Sequence, residues 1–245
     1  MLTKDTAICL RTVDYSETSQ VLTLFTKTSG KIGAIAKGAK RKNNSFDGPV
    51  EILAYGPVIF KPAPNEGLAT LAEFQQMPVF LLLTRKLFTL NAALFAVELT
   101  EAFTETNDPH PNLFDVLFNF LNDLQQTQDF KDATSLLIVF QLSLLSEIGA
   151  RPVMKNCANC KTPLTSEWGK FYFSSNANGL ICPDCQSNYQ DRTSLSHQTA
   201  HCLYDLSKLT EATEATINEL EKLMIRHFTH LMHRPPKTAK FFLKH

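Results

Sequence analysis

Four cysteines carry the most specific chemistry in this chain. Cys157-Ala158-Asn159-Cys160 and Cys182-Pro183-Asp184-Cys185 are two CxxC knuckles separated by 21 residues. A two-residue spacer lets both thiolates of a knuckle face one ion, and structural zinc takes four such ligands in a tetrahedron. Between the knuckles lie Trp168, Phe171, Tyr172 and Phe173, then Asn176-Ala177-Asn178-Gly179. That run reads as a hairpin whose aromatics cover a site too small to build its own core. Lys155 and Lys161 flank the first knuckle. Together with peptide N–H groups aimed at the sulfurs, they would offset the charge of four thiolates. Cys157, Cys160, Cys182 and Cys185 are therefore read as ligands of one structural zinc ion (Zn2+). A single iron takes the same ligand set. Paired disulfides need an oxidising compartment, and dithiol redox chemistry needs one CxxC in a thioredoxin-like βαβ setting. Neither is indicated. Cys9 and Cys202 stand alone and read as buried apolar thiols.

A second group of residues could hold phosphates. Formal net charge is zero, but the charges are segregated. Between Thr18 and Phe46 stand Lys27, Lys31, Lys37, Lys40, Arg41 and Lys42, with no acid among them. From Lys222 to the end come Lys222, Arg226, Arg234, Lys237, Lys240 and Lys244, again without an acid. Residues 87–150 carry nine acids against Lys131 alone. Local potential, not total charge, steers a polyanion. Lys31, Lys37, Lys40, Arg41 and Lys42, next to Gly38 and Asn43-Asn44-Ser45-Phe46, are read as a phosphate-binding loop. The plain alternative is a solvated basic loop. Arg234, Lys237 and Lys240 are read as secondary contacts, against the alternative of a frayed basic end.

Catalytic patterns are not evident. His197 and His201 have the i, i+4 spacing of a zinc pair, but Gln198 stands where a zinc hydrolase carries its general-base glutamate, so a surface pair is the better reading. His227, His230 and His233 read as a solvated or phosphate-facing surface. There is no Walker-type loop, nucleophile elbow, dinucleotide glycine pattern or paired acid in a distinctive setting. The reading is a protein that is not an enzyme.

These residues need positioning. The first 78 residues read as strands and turns: Ala7–Tyr15, Ser19–Thr26, Lys31–Lys37, Val50–Tyr55, Val58–Lys61 and Ala69–Phe74, broken at Gly56-Pro57 and Pro62–Gly67. Short strands in so little chain suggest a small barrel, of OB or SH3-like type. After Pro78 the period becomes helical, over Leu81–Thr106, Pro111–Gln126, Lys131–Ile148, Ser196–Lys208 and Glu214–His233. Gly149 and Pro152 mark a helix stop, and the cysteine-bearing insertion occupies about Val153–Asp191. The fold class is α+β, divided at 1–78 and 79–245. No apolar run spans a bilayer and no export leader is evident, so the chain reads as cytosolic.

The order of these features resembles the bacterial RecO family. The similarity rests on Leu10-Arg11, Tyr15-Ser16-Glu17-Thr18-Ser19, Ser29-Gly30-Lys31, Lys37-Gly38-Ala39-Lys40-Arg41, the inserted four-cysteine module and the ending Arg234-Pro235-Pro236-Lys237-Thr238-Ala239-Lys240-Phe241. The resemblance implies an OB-fold that binds single-stranded and duplex DNA, followed by a helical domain with a zinc module. It implies a recombination mediator in DNA repair that anneals complementary strands. With RecR, such a mediator helps load RecA onto DNA coated by single-stranded-DNA-binding protein, and it works by contacts in the cytoplasm at the nucleoid. Its DNA-binding cations map onto Lys37, Lys40 and Arg41 by motif, and onto Lys31 and Lys42 by proximity only. Another barrel-plus-zinc-ribbon RNA- or DNA-binding adaptor is the alternative reading.

Overall fold

Alternation of apolar and polar residues drives the first five strands into a closed barrel. They are β1 (Thr3–Asp14), β2 (Gln20–Thr26), β3 (Gly30–Ala36), β4 (Tyr55–Lys61) and β5 (Ala69–Phe74). The computed structural model describes residues 1–41, 45–64, 67–165 and 168–243, which form two compact units, Met1–Gln126 and Thr127–His245. Lys42, one of the loop cations, lies outside the described residues. Among the described residues, no helix is long and apolar enough to cross a membrane.

The strand order β1-β2-β3-β5-β4, with β4 returning to β1 and β3 parallel to β5, is that of an OB-fold. β1 serves two partners: Thr3–Ile8 pair with β4 and Ala7–Asp14 with β2. A register shift between Cys9 and Arg11 bends it round the corner. Inside lie Leu22, Leu24, Ile32, Val58, Phe60, Leu71 and Phe74, with Cys9 in the same core. Burial pushes the Cys9 thiol up to about 12.

Two strand assignments from sequence fail here. Val50–Tyr55 is mostly irregular, because the bulge frees Cys9 to bond elsewhere. Cys9 N–H donates to Ala54 O (2.8 Å), Leu53 N–H donates to Cys9 O (2.9 Å), and Leu53 turns at φ 73°. Gly56-Pro57, read as a turn, lies inside β4 in register with Ala7 and Thr6. A Cβ at Gly56 would come within 2.0 Å of Gln75 O, so only glycine allows that approach. The Pro57 carbonyl accepts from Gln75 N–H at 3.0 Å.

Two helices complete the first unit, α1 (Leu87–Phe103) and α2 (Pro111–Leu124). The single long helix expected over Leu81–Thr106 is broken. A 3-10 turn spans Leu81–Arg85, Lys86 is extended, and α1 follows. Thr89 Oγ1 donates to the carbonyls of Leu83 and Lys86, satisfying the backbone at the break. Both helices rest on the barrel: Phe25 meets Phe114 at 5.8 Å between ring centroids, and Lys27 pairs with Asp115 at 2.7 Å.

The second unit is built on α3 (Phe130–Glu147), α4 (His197–Tyr204) and α5 (Glu214–Met232). Asp129, Ser196 and Thr213 cap their N-termini through side-chain oxygens. Gly149 takes the left-handed conformation (φ 73°) after α3, as the sequence suggests. α4 is shorter than Ser196–Lys208 because extended Asp205 ends it and caps the next 3-10 turn, accepting from Ser207 N–H. The insertion folds as a three-stranded sheet, β7-β6-β8, from β6 (Phe171–Ser174), β7 (Gly179–Ile181) and β8 (Thr193–Leu195). The expected hairpin is β6–β7. β8 lies past the insertion boundary drawn from sequence, where three residues give too short a pattern to read.

Candidate metal centre and nucleic-acid face

The hairpin and its flanks bring the two knuckles together. The four sulfurs of Cys157, Cys160, Cys182 and Cys185 all lie within 4.8 Å of one another. Cys160 Sγ and Cys182 Sγ are 3.7 Å apart. Tetrahedral thiolates at about 2.3 Å from a zinc ion stand roughly 3.8 Å from each other, so a small inward shift closes the set. All six cysteines are free thiols, which leaves no disulfide in the cluster.

Local bonds fix the sulfurs. Cys157 N–H donates to Thr162 O (2.8 Å) and Cys182 N–H to Cys157 Sγ (3.4 Å), joining the knuckles. Lys161 turns left-handed (φ 66°), and its ammonium reaches Ala158 O at 2.7 Å. Hydrogen bonding to Thr162 pulls the exposed Cys160 thiol down to about 6, while burial pushes Cys182 up to about 12. Crowded thiols resist joint ionisation, and a divalent cation removes that conflict. The site can therefore hold a metal ion.

One supporting residue was missed in the sequence. Asn159 Nδ2 donates to Cys185 Sγ (3.2 Å), and its Oδ1 accepts from Tyr189 Oη (3.0 Å). The x positions of a CxxC look interchangeable, so only the fold reveals that Asn159 spans the site. Trp168, Phe171 and Phe173 are buried behind it, with Trp168 stacked on Phe171 at 6.3 Å.

The histidines divide differently from the sequence reading. His197 and His201 stack at 4.2 Å, both edge-on to Phe171, and among the described residues no third ligand joins them. His227 is a correction. It is fully buried, with Nδ1 3.2 Å from Ser175 Oγ and its ring edge-on to Phe173. Burial pushes it down to about 4. A step of three residues falls about 60° short of a helical turn, so His227 faces the core while His230 and His233 reach the surface.

The basic loop leaves β3 as a tethered turn. Ala39 plugs the barrel core between Lys37 and Lys40. Gly38 N–H donates to Ser19 Oγ (3.3 Å) and Lys40 N–H to Thr18 O (3.1 Å), binding the loop to the β1–β2 turn. Lys37 and Arg41 are exposed, and the Arg41 side chain folds over Gly38, where a Cβ would meet its Cδ at 3.4 Å. Lys40 Nζ lies 2.5 Å from Asp14 Oδ2. Lys31 sits at the opposite end of β3, about 20 Å along the strand. Its ammonium donates to Glu101 O (2.6 Å) and to Thr104 O, at the C-terminus of α1. The structure thus gathers Lys37, Lys40 and Arg41 and sets Lys31 apart. In the second unit, Arg234, Lys237 and Lys240 are exposed. The 3-10 turn bearing the two lysines is pinned by buried Ala239 and by Phe242 stacked on Phe130 at 5.7 Å.

Comparison with known proteins gives a consistent answer along the chain. Residues 1–79 match the family described as Recombination protein O N terminal, and residues 85–240 match Recombination protein O C terminal. The DNA repair protein RecO of Bacillus subtilis is 32% identical over 241 residues, covering 94% of this chain and 91% of that protein. That of Bacillus pumilus is 30% identical over 248 residues, covering 98% and 93%. That of Salinibacter ruber is 37% identical over 148 residues, covering 60% and 56%.

Proposed function

Since the chain belongs to the RecO family of recombination proteins, we propose that it serves DNA repair by binding single-stranded and duplex DNA on its OB barrel and annealing complementary strands. The observation that carries this reading is the tethered loop after β3, which holds Lys37, Lys40 and Arg41 around buried Ala39. Cations on a stiff loop lose little freedom on meeting a phosphate, and each that neutralises one releases a condensed counterion. Two backbones screened by one loop repel each other less, which is what annealing requires. Lys42 extends the group in sequence. Lys31 is assigned to holding α1, and Arg234, Lys237 and Lys240 to a second anionic contact.

The four-cysteine cluster is assigned to zinc. Four thiolates with no further ligand grouped with them among the described residues make a closed site, so the ion would tie the β7-β6-β8 sheet together and leave no position open for substrate. As the resemblance implies, RecR and single-stranded-DNA-binding protein are the proposed protein partners, with loading of RecA as the outcome.

The test is a strand-annealing assay between complementary oligonucleotides labelled as a fluorescence pair. The protein should accelerate annealing, and combined Lys37→Ala, Lys40→Ala and Arg41→Ala should lower the protein-dependent rate about tenfold or more. A wild-type rate in that variant would remove the loop from the function.

A further inference from the structure

Lys40, one of the loop cations, is engaged by a carboxylate. Lys40 Nζ lies 2.5 Å from the carboxylate of Asp14, the last residue of β1. The Lys40 side chain is 24% exposed and that of Asp14 is 68% exposed, so the acid stands in solvent where an incoming phosphate would arrive. Backbone bonds fix both partners independently of the ion pair. Lys40 N–H is held by Thr18 O, Tyr15 N–H, next to Asp14, by Ser19 O, and Asp14 itself is in register with Gln20 on β2. Breaking the pair therefore leaves the loop and strand in place. A pair whose acid is this exposed is readily exchanged.

We propose that Asp14 is a built-in competitor for DNA: its carboxylate occupies Lys40 in the free protein, and a backbone phosphate must exchange with it on binding. The inference rests on the barrel loop being the DNA site, and concerns how that site is regulated. An acid left beside the bound phosphate also repels it. Asp14 thus weakens the grip and speeds release, a property an annealing protein needs once its product has formed.

Binding of oligothymidylate, a single-stranded probe, is measured by fluorescence anisotropy for wild type, Asp14→Asn, Asp14→Glu, Lys40→Gln and the Asp14→Asn/Lys40→Gln pair. Thermal denaturation serves as the control for folding. Asp14→Asn should tighten binding about fivefold at low salt and steepen the salt dependence by up to about 0.7 in log–log slope. Asp14→Glu keeps the charge and should bind as wild type does. In the Lys40→Gln background the gain from Asp14→Asn should shrink to less than about twofold. An equal gain in both backgrounds would make Asp14 a general field effect and overturn the exchange. Weaker binding by Lys40→Gln with no gain from Asp14→Asn would also overturn it, leaving the DNA site standing. If neither variant alters binding, the loop reading itself falls.

Discussion

A carboxyl group buried between α3 and α5 gives a sharp test of how this fold handles charge. Glu221 is 1% exposed and Gln141 is fully buried, with Gln141 Nε2 donating to Glu221 Oε1 at 3.0 Å. Glu221 Oε2 and Gln141 Oε1 are two buried oxygens without hydrogen-bond partners among the described residues. Protonation removes a buried charge that the single amide bond from Gln141 only partly offsets. Burial accordingly pushes the Glu221 carboxyl from an ordinary 4.5 up to about 8, with the Gln141 bond opposing. Because the folded-state pKa is raised, the stabilising contribution is complete below about pH 4.5, falls as pH rises, and is gone above about pH 8. At about 1.4 kcal/mol per pH step, wild type should lose on the order of 3–5 kcal/mol across that window. Glu221→Gln keeps the shape and cannot ionise, so it should escape the loss. Thermal denaturation of both full-length proteins, metal-loaded, would be followed from about pH 5.5 to pH 8. The melting temperature of the variant should gain on wild type by roughly 5–10 °C over the range. Parallel pH profiles would refute a neutral buried Glu221.

Other consequences follow from named contacts. Lys31→Met removes the donor to the carbonyls of Glu101 and Thr104. It should cost about 1–2 kcal/mol of stability in chemical denaturation without changing the salt dependence of DNA binding. Asn159→Ala deletes the bond to Cys185 Sγ and should weaken zinc retention in chelator competition by about 10-fold or more. Cys182→Ser should lower zinc content, read by elemental analysis, from one ion per chain towards none.

What the sequence discloses depends on the range of the interaction that decides each feature. The knuckles are legible because a two-residue spacer is itself the chelate geometry, and residues 157–185 come together as read. Helix starts and stops are legible where one residue decides them, as at Asp129 and Gly149. The barrel follows from alternating strands, and its closure from the resemblance. Gly56-Pro57 misleads because the glycine answers to the close approach of Gln75 O, a residue far along the chain, and not to a turn. The break at Lys86 is hidden, since Thr89 satisfies the backbone there with a side chain that looks ordinary in a helix. Lys31 and Lys37 look alike as basic residues of one short segment. Only the length of β3 separates them, sending one to the end of α1 and the other to the exposed loop. Glu221 and His227 go unnoticed as core residues because a charge-bearing type on an amphipathic helix reads as surface.

Phosphate neutralisation by the loop after β3 is the step on which the proposed DNA binding depends, and the salt dependence of binding measures it most directly. Affinity for single-stranded DNA is determined from about 50 to 200 mM salt for wild type and for the combined Lys37→Ala, Lys40→Ala and Arg41→Ala protein. Three lost phosphate contacts should make the slope of log affinity against log salt shallower by about 2. Identical slopes, whatever the absolute affinities, would contradict it.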